Sequence, residues 1–291
     1  MSHNRDAAPL PPPHGSDAAT SVDPEVLVEL AGRLARTAGR LIREGRPQQV
    51  DVAATKSSAV DVVTAMDLAS EALLRRMLAD ERPTDGILGE EEAPRHGTSG
   101  ITWVLDPVDG TVNYLYGIPA YAVSVAAVTG EPDPRTWTVL AGAVHAVAED
   151  LTWTASRGNG AWLDGRRLHV NEARPLAESL VGTGFGYQAE RRRAQARVLA
   201  HLLPQVRDIR RMGSAALDLC AVACGRLDAY YERGLKPWDL AAGQLVAQEA
   251  GALVTGLRGE APGDAMTLAG PPSTVATLDA ILSELGADSD R

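Results

Sequence analysis

The chain is predicted to be a mixed α/β protein. Three observations point there: stretches with apolar residues at helical spacing, short apolar runs of strand length bounded by turn residues, and the interleaving of the two along the chain. The first helix is predicted over 24–45, where Asp23 supplies a cap, Pro24 and Glu25 suit a first turn, and Leu27, Leu30, Leu34, Leu41 and Ile42 follow at near-helical spacing up to Gly45. A second begins near Thr64, where Thr64 and Asp67 form a T-x-x-D capping pattern, and runs through Leu68, Glu71, Leu74 and Leu78 to a stop before Pro83. The spacing alone does not separate a plain helix cap from a further role for Asp67.

From Ile87 the pattern changes to runs at 101–105, 121–128, 139–147 and 151–155, which read as sheet, and Asp164-Gly165 marks a hairpin turn. The glycine-rich GTGFG at 182–186 is followed by neither a dinucleotide fingerprint nor a GK[ST] sequence, so it is read as a strand–loop junction. Helices are predicted at about 190–203, 214–225 and 238–250, strands near 228–232, 252–255 and 265–268, and a last helix near 272–285. No repeat or linker interrupts 24–286. Residues 1–22, rich in Pro and Ala, are expected to be a disordered tail, 23–286 one folded unit with halves of about 23–180 and 181–286, and 287–291 a short tail.

With 45% hydrophobic residues the chain buries a substantial core, while 38 acidic against 28 basic residues, a net charge of -10, argue against nucleic acid as a partner. An anionic substrate meets the same repulsion unless metal ions invert the local charge. No apolar run approaches the roughly 18 residues of a membrane span, and the N-terminus lacks a secretory pattern, so no membrane association and a cytoplasmic location are expected. Cys220 and Cys224, four apart on a predicted helix, read as reduced thiols on a buried face rather than as a zinc or disulfide pair.

The most informative stretch is WVLDPVDGTVN at 103–113, an apolar strand ending in two carboxylates, Asp106 and Asp109. Pro107 removes a donor, Gly110 removes a side chain, and a helix starting near Thr111 would aim free amides at an anion, which is chemistry suited to phosphate beside magnesium. Glu90 and Glu91 after Ile87-Leu88, and Asp239 at the head of an alanine-rich helix, fit the same centre. Each also has a plainer reading, solvated loop charges for the glutamates and a helix-start preference for Asp239.

Taken together, DVVTAMD at 61–67, GEE at 89–91, DPVDGTVNY at 106–114 and WDLAAG at 238–243 resemble the inositol monophosphatase family over about 25–285. GIPAYAVS at 117–124 and GSAALDLC at 213–220 bring the chain nearest to its bacterial, actinobacterial-like branch. The resemblance implies a layered α-β-α-β-α sandwich of the inositol monophosphatase and fructose-1,6-bisphosphatase type. It implies two to three Mg2+ ions, one held by Glu90, Asp106 and the Val108 carbonyl, a second by Asp106, Asp109 and Asp239. A water on the first ion, oriented by Thr111 paired with Asp67, is the implied nucleophile. Gly110 and Thr111 would present amides to phosphate, and Asp109, Gly213, Ala215, Glu232 and Asp239 would meet the substrate alcohol. Lys56 matches a lysine of the family's mobile loop. Hydrolysis of inositol 1-phosphate, inhibition by lithium and a homodimer are implied as well. Histidinol phosphate, fructose 1,6-bisphosphate and adenosine bisphosphate are the competing substrates, and a partner in the transcription and RNA-processing machinery is the competing role, with Arg191–Arg193, Arg207, Arg210 and Arg211 as its candidate surface.

Overall fold

The computed structural model describes residues 23–56 and 61–290; the predicted tail 1–22 and the loop residues Ser57 and Ser58 lie outside them. In chain order the elements are α1 (Pro24–Gly45), β1 (Val52–Thr55), β2 (Val62–Thr64), α2 (Ala65–Glu81), β3 (Gly86–Gly89), β4 (Ile101–Asp109), α3 (Thr111–Tyr116), β5 (Ala122–Thr129), β6 (Thr138–Ala146), β7 (Leu151–Ser156), β8 (Gly160–Leu163) and β9 (Arg166–Arg167). The second half adds β10 (Leu180–Thr183), α4 (Ala189–Leu202), β11 (Asp208–Arg210), α5 (Ala215–Ala223), β12 (Ala229–Glu232), α6 (Pro237–Glu249), β13 (Leu253–Thr255), β14 (Thr267–Gly270) and α7 (Pro272–Glu284).

Local chemistry explains where the first helices start. Asp23 accepts a 2.9 Å hydrogen bond from the Glu25 amide, and the Thr64 amide donates to Asp67 Oδ2 at 2.9 Å, satisfying donors that the first turns leave free. Two sheets carry the fold. The larger runs β3-β4-β5-β6-β7-β8-β9, antiparallel except for the β3–β4 pair. The smaller runs β11-β10-β12-β14-β13, parallel in its first three strands and antiparallel after that.

Strand alternation divides the larger sheet into two apolar faces. Trp103 and Leu105 of β4 with Val123 and Val125 of β5 face Leu27, Leu34 and Ile42 of α1 and Leu74 and Leu78 of α2. Val104, Ala126 and Val144 point the other way, into a central core with Leu219 and Val222 of α5 and Leu240 and Leu245 of α6. The smaller sheet lies beyond these helices: Tyr230 faces them, while Ala229 and Tyr231 pack with Val198, Leu202, Val275 and Leu278 of α4 and α7. The result is the layered α-β-α-β-α sandwich. A Cβ on Gly142 of β6 would stand 3.0 Å from Ala242 Cα, so α6 rests on this sheet at backbone distance. Each fully buried leucine in these cores contributes about 1.5–3 kcal/mol of transfer free energy.

The predicted helices and principal strands are present, and Gly182–Thr183 end β10 before a loop, as the strand–loop reading of 182–186 requires. Strand β4 outruns its expected end at 105 and reaches Asp109, with a register shift between Asp106 and Asp109 where Pro107 interrupts pairing with β5. Ala287 is buried in the outer core, and Asp288 and Asp290 pair with Arg258 and Arg233. Cys220 is buried, Cys224 half-buried, and both are free thiols.

Candidate active site

The shift in β4 decides where its carboxylates go. Asp106 turns inward with Oδ1 accepting from the Val108 amide at 3.0 Å, and is 1% exposed. Asp109 closes the strand, and Gly110 follows with φ of +95°, a left-handed turn in which an added Cβ would lie 2.7 Å from the Ala120 carbonyl oxygen. That turn starts α3 at Thr111. From the other half, α6 brings in Asp239, whose Oδ2 caps the Lys236 amide at 2.7 Å. One oxygen from each of Asp106, Asp109 and Asp239 lies within 4.8 Å of the others.

These three line a cavity of about 390 Å³ that also takes in Glu90, Val108 and Thr111 from the first half and Gly213, Ala215 and Glu232 from the second. Glu90 stands outside the tight trio: its Oε1 is 2.7 Å from Lys56 Nζ, which also reaches Glu91 Oε1 at 2.6 Å. Asp67 lies behind the cavity wall and does more than cap α2, because Thr111 Oγ1 donates to its Oδ1 at 2.9 Å. Asp239 likewise caps its helix and faces the cavity. Each of the two carboxylates therefore caps a helix and makes a second contact, Asp67 with Thr111 and Asp239 with the cavity.

Burial governs the electrostatics. It pushes Asp106 well above the ordinary carboxylate range, with Glu90, Asp109 and Asp239 adding repulsion, and Asp239 is raised in the same way by burial, then Asp109 and Glu90. Glu90 is pushed up to about 7 by burial, against the pull of Lys56. Asp67 is raised by burial and partly restored by its hydrogen bonds from Thr64 and Thr111. Glu232 rises to about 7 through burial, and Tyr230 donates to its Oε2 at 2.6 Å. Three carboxylates this close, with Asp106 and Asp109 buried and Asp239 half-buried, resist ionising together unless a cation shares their charge, and a purely oxygen donor set suits Mg2+ over softer metals.

Sequence reasoning does not reach several residues here. Ser214 and the Ala216 amide both donate to Asp109 Oδ2, at 2.6 and 2.7 Å. Glu71, fully buried on α2, accepts from the amides of Glu91 and Glu92 at 2.8 and 3.1 Å. Asp218 is buried beside Glu232 with neither carboxylate oxygen hydrogen-bonded to a described residue. Of the arginines grouped as a partner surface, Arg191 and Arg211 line the cavity and Arg210 pairs with Asp208 at 2.6 Å, whereas Arg192 and Arg193 are exposed on α4.

The profile of the inositol monophosphatase family matches residues 23–286. Inositol-1-monophosphatase SuhB of Mycobacterium tuberculosis (strain ATCC 25618 / H37Rv) is 47% identical over 250 residues, covering 80% of this chain and 84% of that protein. The protein named Nus factor SuhB of Pasteurella multocida (strain Pm70) is 39% identical over 236 residues, covering 80% and 86%. The solved structure of Mycobacterium tuberculosis SuhB superposes with a TM-score of 0.77 at 43% identity, covering 92% of this chain and 99% of that one. A layered sandwich with an acidic cavity between its halves, together with these likenesses, defines a phosphatase. The chain belongs to the inositol monophosphatase family.

Proposed function

We propose that the protein is a cytoplasmic, Mg2+-dependent phosphomonoesterase that hydrolyses inositol 1-phosphate to inositol and phosphate. The observation that carries this reading is the convergence of Asp106, Asp109 and Asp239 within 4.8 Å on the wall of one cavity, the first two buried and the third half-buried. Glu90, Asp106 and the Val108 carbonyl would hold one ion and Asp106, Asp109 and Asp239 a second, in a set of two to three. Bound there, the ions supply positive charge that draws in phosphate and make an attacking water more acidic.

The chain's own groups do the remainder. Amides of Gly110 and Thr111 at the start of α3 hold phosphate oxygens. Thr111 orients the attacking water and relays its proton to Asp67 Oδ1, 2.9 Å away, a carboxylate whose proton affinity burial has raised. The water oxygen bonds to phosphorus, the ester P–O bond breaks, and the alcohol leaves with a proton from solvent. Asp109 and Glu232 accept hydrogen bonds from the alcohol's hydroxyls, beside the backbone of Gly213 and Ala215. Lys56 bridges Glu90 and Glu91 at the lining of the cavity.

The test is side-by-side turnover of inositol 1-phosphate, histidinol phosphate and fructose 1,6-bisphosphate, with Mg2+ and with a chelator. Fastest hydrolysis of inositol 1-phosphate, lost on chelation, is expected; faster turnover of histidinol phosphate overturns the substrate. Millimolar lithium is expected to inhibit. Exposed Tyr116, Ile118 and Met212 support a homodimer, and a scattering mass of twice 30.7 kDa is expected. A second reading, association with the transcription machinery, is supported by the Pasteurella relative's name and the exposed Arg192 and Arg193. Binding to purified elongation complexes that survives Arg192→Glu with Arg193→Glu would remove those arginines from it.

A further inference from the structure

We propose that Asp290 sets the charge selectivity of the cavity: by neutralising Arg191 and Arg233 it disfavours phosphate esters that carry a second anionic group and favours those with an uncharged body. This inference deepens the phosphomonoesterase reading and rests on it.

The family match ends at residue 286, yet the residues after it return to the family's site. The Ala287 amide donates to the Leu282 carbonyl at 3.0 Å, and its side chain is buried in the outer core, which anchors the residues that follow. Asp288 pairs with Arg258. Asp290 then pairs with Arg233 and lies 3.7 Å from Arg191 Nε. Both arginines line the cavity, on the side that holds Glu232.

Neither arginine is a casual surface charge. The Arg233 side chain is 11% exposed and follows Glu232 directly at the end of β12. Arg191 lies across two glycines: a Cβ on Gly186 would stand 2.7 Å from its Cδ, and one on Gly234 2.8 Å from its Nη1. Two guanidinium groups held at one wall of a phosphate-ester cavity are a ready subsite for a second phosphate or carboxylate, because the guanidinium fork matches the oxygens of either. Asp264 covers the same rim from within the family's span, 3.2 Å from Lys236 Nζ and 3.9 Å from Arg191 Nη1. Asp290 adds the second carboxylate, so a bis-anionic ligand must displace it while an ester with a neutral body need not. At 45% side-chain exposure Asp290 is screened and displaceable, which keeps the effect moderate.

The experiment compares wild type with Asp290→Asn and Asp290→Glu in the full Mg2+-loaded protein. KM for inositol 1-phosphate and fructose 1,6-bisphosphate is read from turnover, and dissociation constants by calorimetry with Ca2+ replacing Mg2+ so that neither ester is consumed. Asp290→Asn is expected to tighten fructose 1,6-bisphosphate by about threefold to fivefold, the scale of one screened ion pair, and to leave inositol 1-phosphate within about twofold. Asp290→Glu should behave as wild type, and adding Arg233→Gln to Asp290→Asn should cancel the gain. If both ligands shift together, or neither shifts while the melting temperature falls, Asp290 is a staple for the chain and the proposal is wrong. A wild-type protein that binds both esters but does not cleave inositol 1-phosphate would sink the proposed reaction, while the ratio of binding constants would still decide the role of Asp290.

Discussion

Ser214 Oγ donates a 2.6 Å hydrogen bond to Asp109 Oδ2, so a carboxylate at the end of β4 is aimed by the first turn of a helix that begins more than a hundred residues later. The same serine caps α5 by accepting from the Leu217 amide at 3.3 Å. Docking of the two halves and orientation of the acid are therefore one event. Ser214→Ala is expected to lower kcat/KM by about 10- to 100-fold, the usual cost of removing a partner that orients a ligand group. Loss of the cap should cost about 1 kcal/mol in urea denaturation. Ser214→Thr keeps the hydroxyl and should recover most activity. Wild-type kinetics in Ser214→Ala would show that Asp109 needs no such support.

Repulsion inside the acidic trio gives a second prediction, read without turnover. Asp106→Asn removes one buried charge that Glu90, Asp109 and Asp239 oppose, so in chelator the variant should melt at or above the wild-type temperature. Adding Mg2+ at about a hundred times its dissociation constant should stabilise wild type by about 2.7 kcal/mol, several degrees in melting temperature, and the variant by far less. A wild-type melting curve indifferent to Mg2+ would contradict the metal assignment. Asp109→Asn is expected to stay folded and lose at least about a hundredfold in turnover.

Glu71 positions rather than reacts. Its carboxylate holds the amides of Glu91 and Glu92 and receives Arg75 Nε at 2.8 Å, which fixes the turn on which Glu90 is mounted. Glu71→Gln preserves the shape but leaves only one oxygen for three donors. Its Mg2+ affinity, measured by calorimetry, should fall about 10-fold or more with the circular dichroism spectrum unchanged. Unaltered Mg2+ binding would reduce Glu71 to a structural role.

Much of this architecture was legible in the residues, because the strong signals are local. Asp23-Pro24-Glu25 starts a helix wherever it stands before a periodic apolar stretch, and an apolar strand closing on Asp106 and Asp109 announces charge at a sheet end. What escaped has no local signature. Strand β1 is exposed along its whole length, so it shows no alternation of burial to betray it, and β11 is a three-residue edge strand beginning and ending in charge. The continuation of β4 through Pro107 was hidden because proline normally ends pairing, and here the pairing resumes only at Asp109. The layering came from resemblance alone, and the order of strands was not read from the residues at all. Ser214, Glu71 and Asp290 act through contacts between residues far apart in the chain, and such contacts exist only once the chain is folded.

His145 carries the last prediction, on stability against pH. It sits on β6 under α1, 2% exposed, with Nδ1 3.0 Å from Thr152 Oγ1 and Nε2 3.7 Å from Asp150 Oδ1. Burial lowers its pKa from 6.5; Asp150 and Asp164 pull it upward, while Arg43 and Arg36 of α1 push it further down. The folded protein therefore keeps the ring neutral at a pH where the unfolded chain already binds a proton. Stability from this group is complete above 6.5 and is lost as pH falls from there through the lower folded value, at a rate of no more than about 1.4 kcal/mol per pH unit. Wild type should accordingly lose more unfolding free energy between pH 7.5 and 5.5 than His145→Gln, which has no proton to gain and can still meet Thr152. Carboxylates titrate in both proteins and cancel in the difference, so parallel curves for the two would mean that His145 is protonated alike in the folded and unfolded chains.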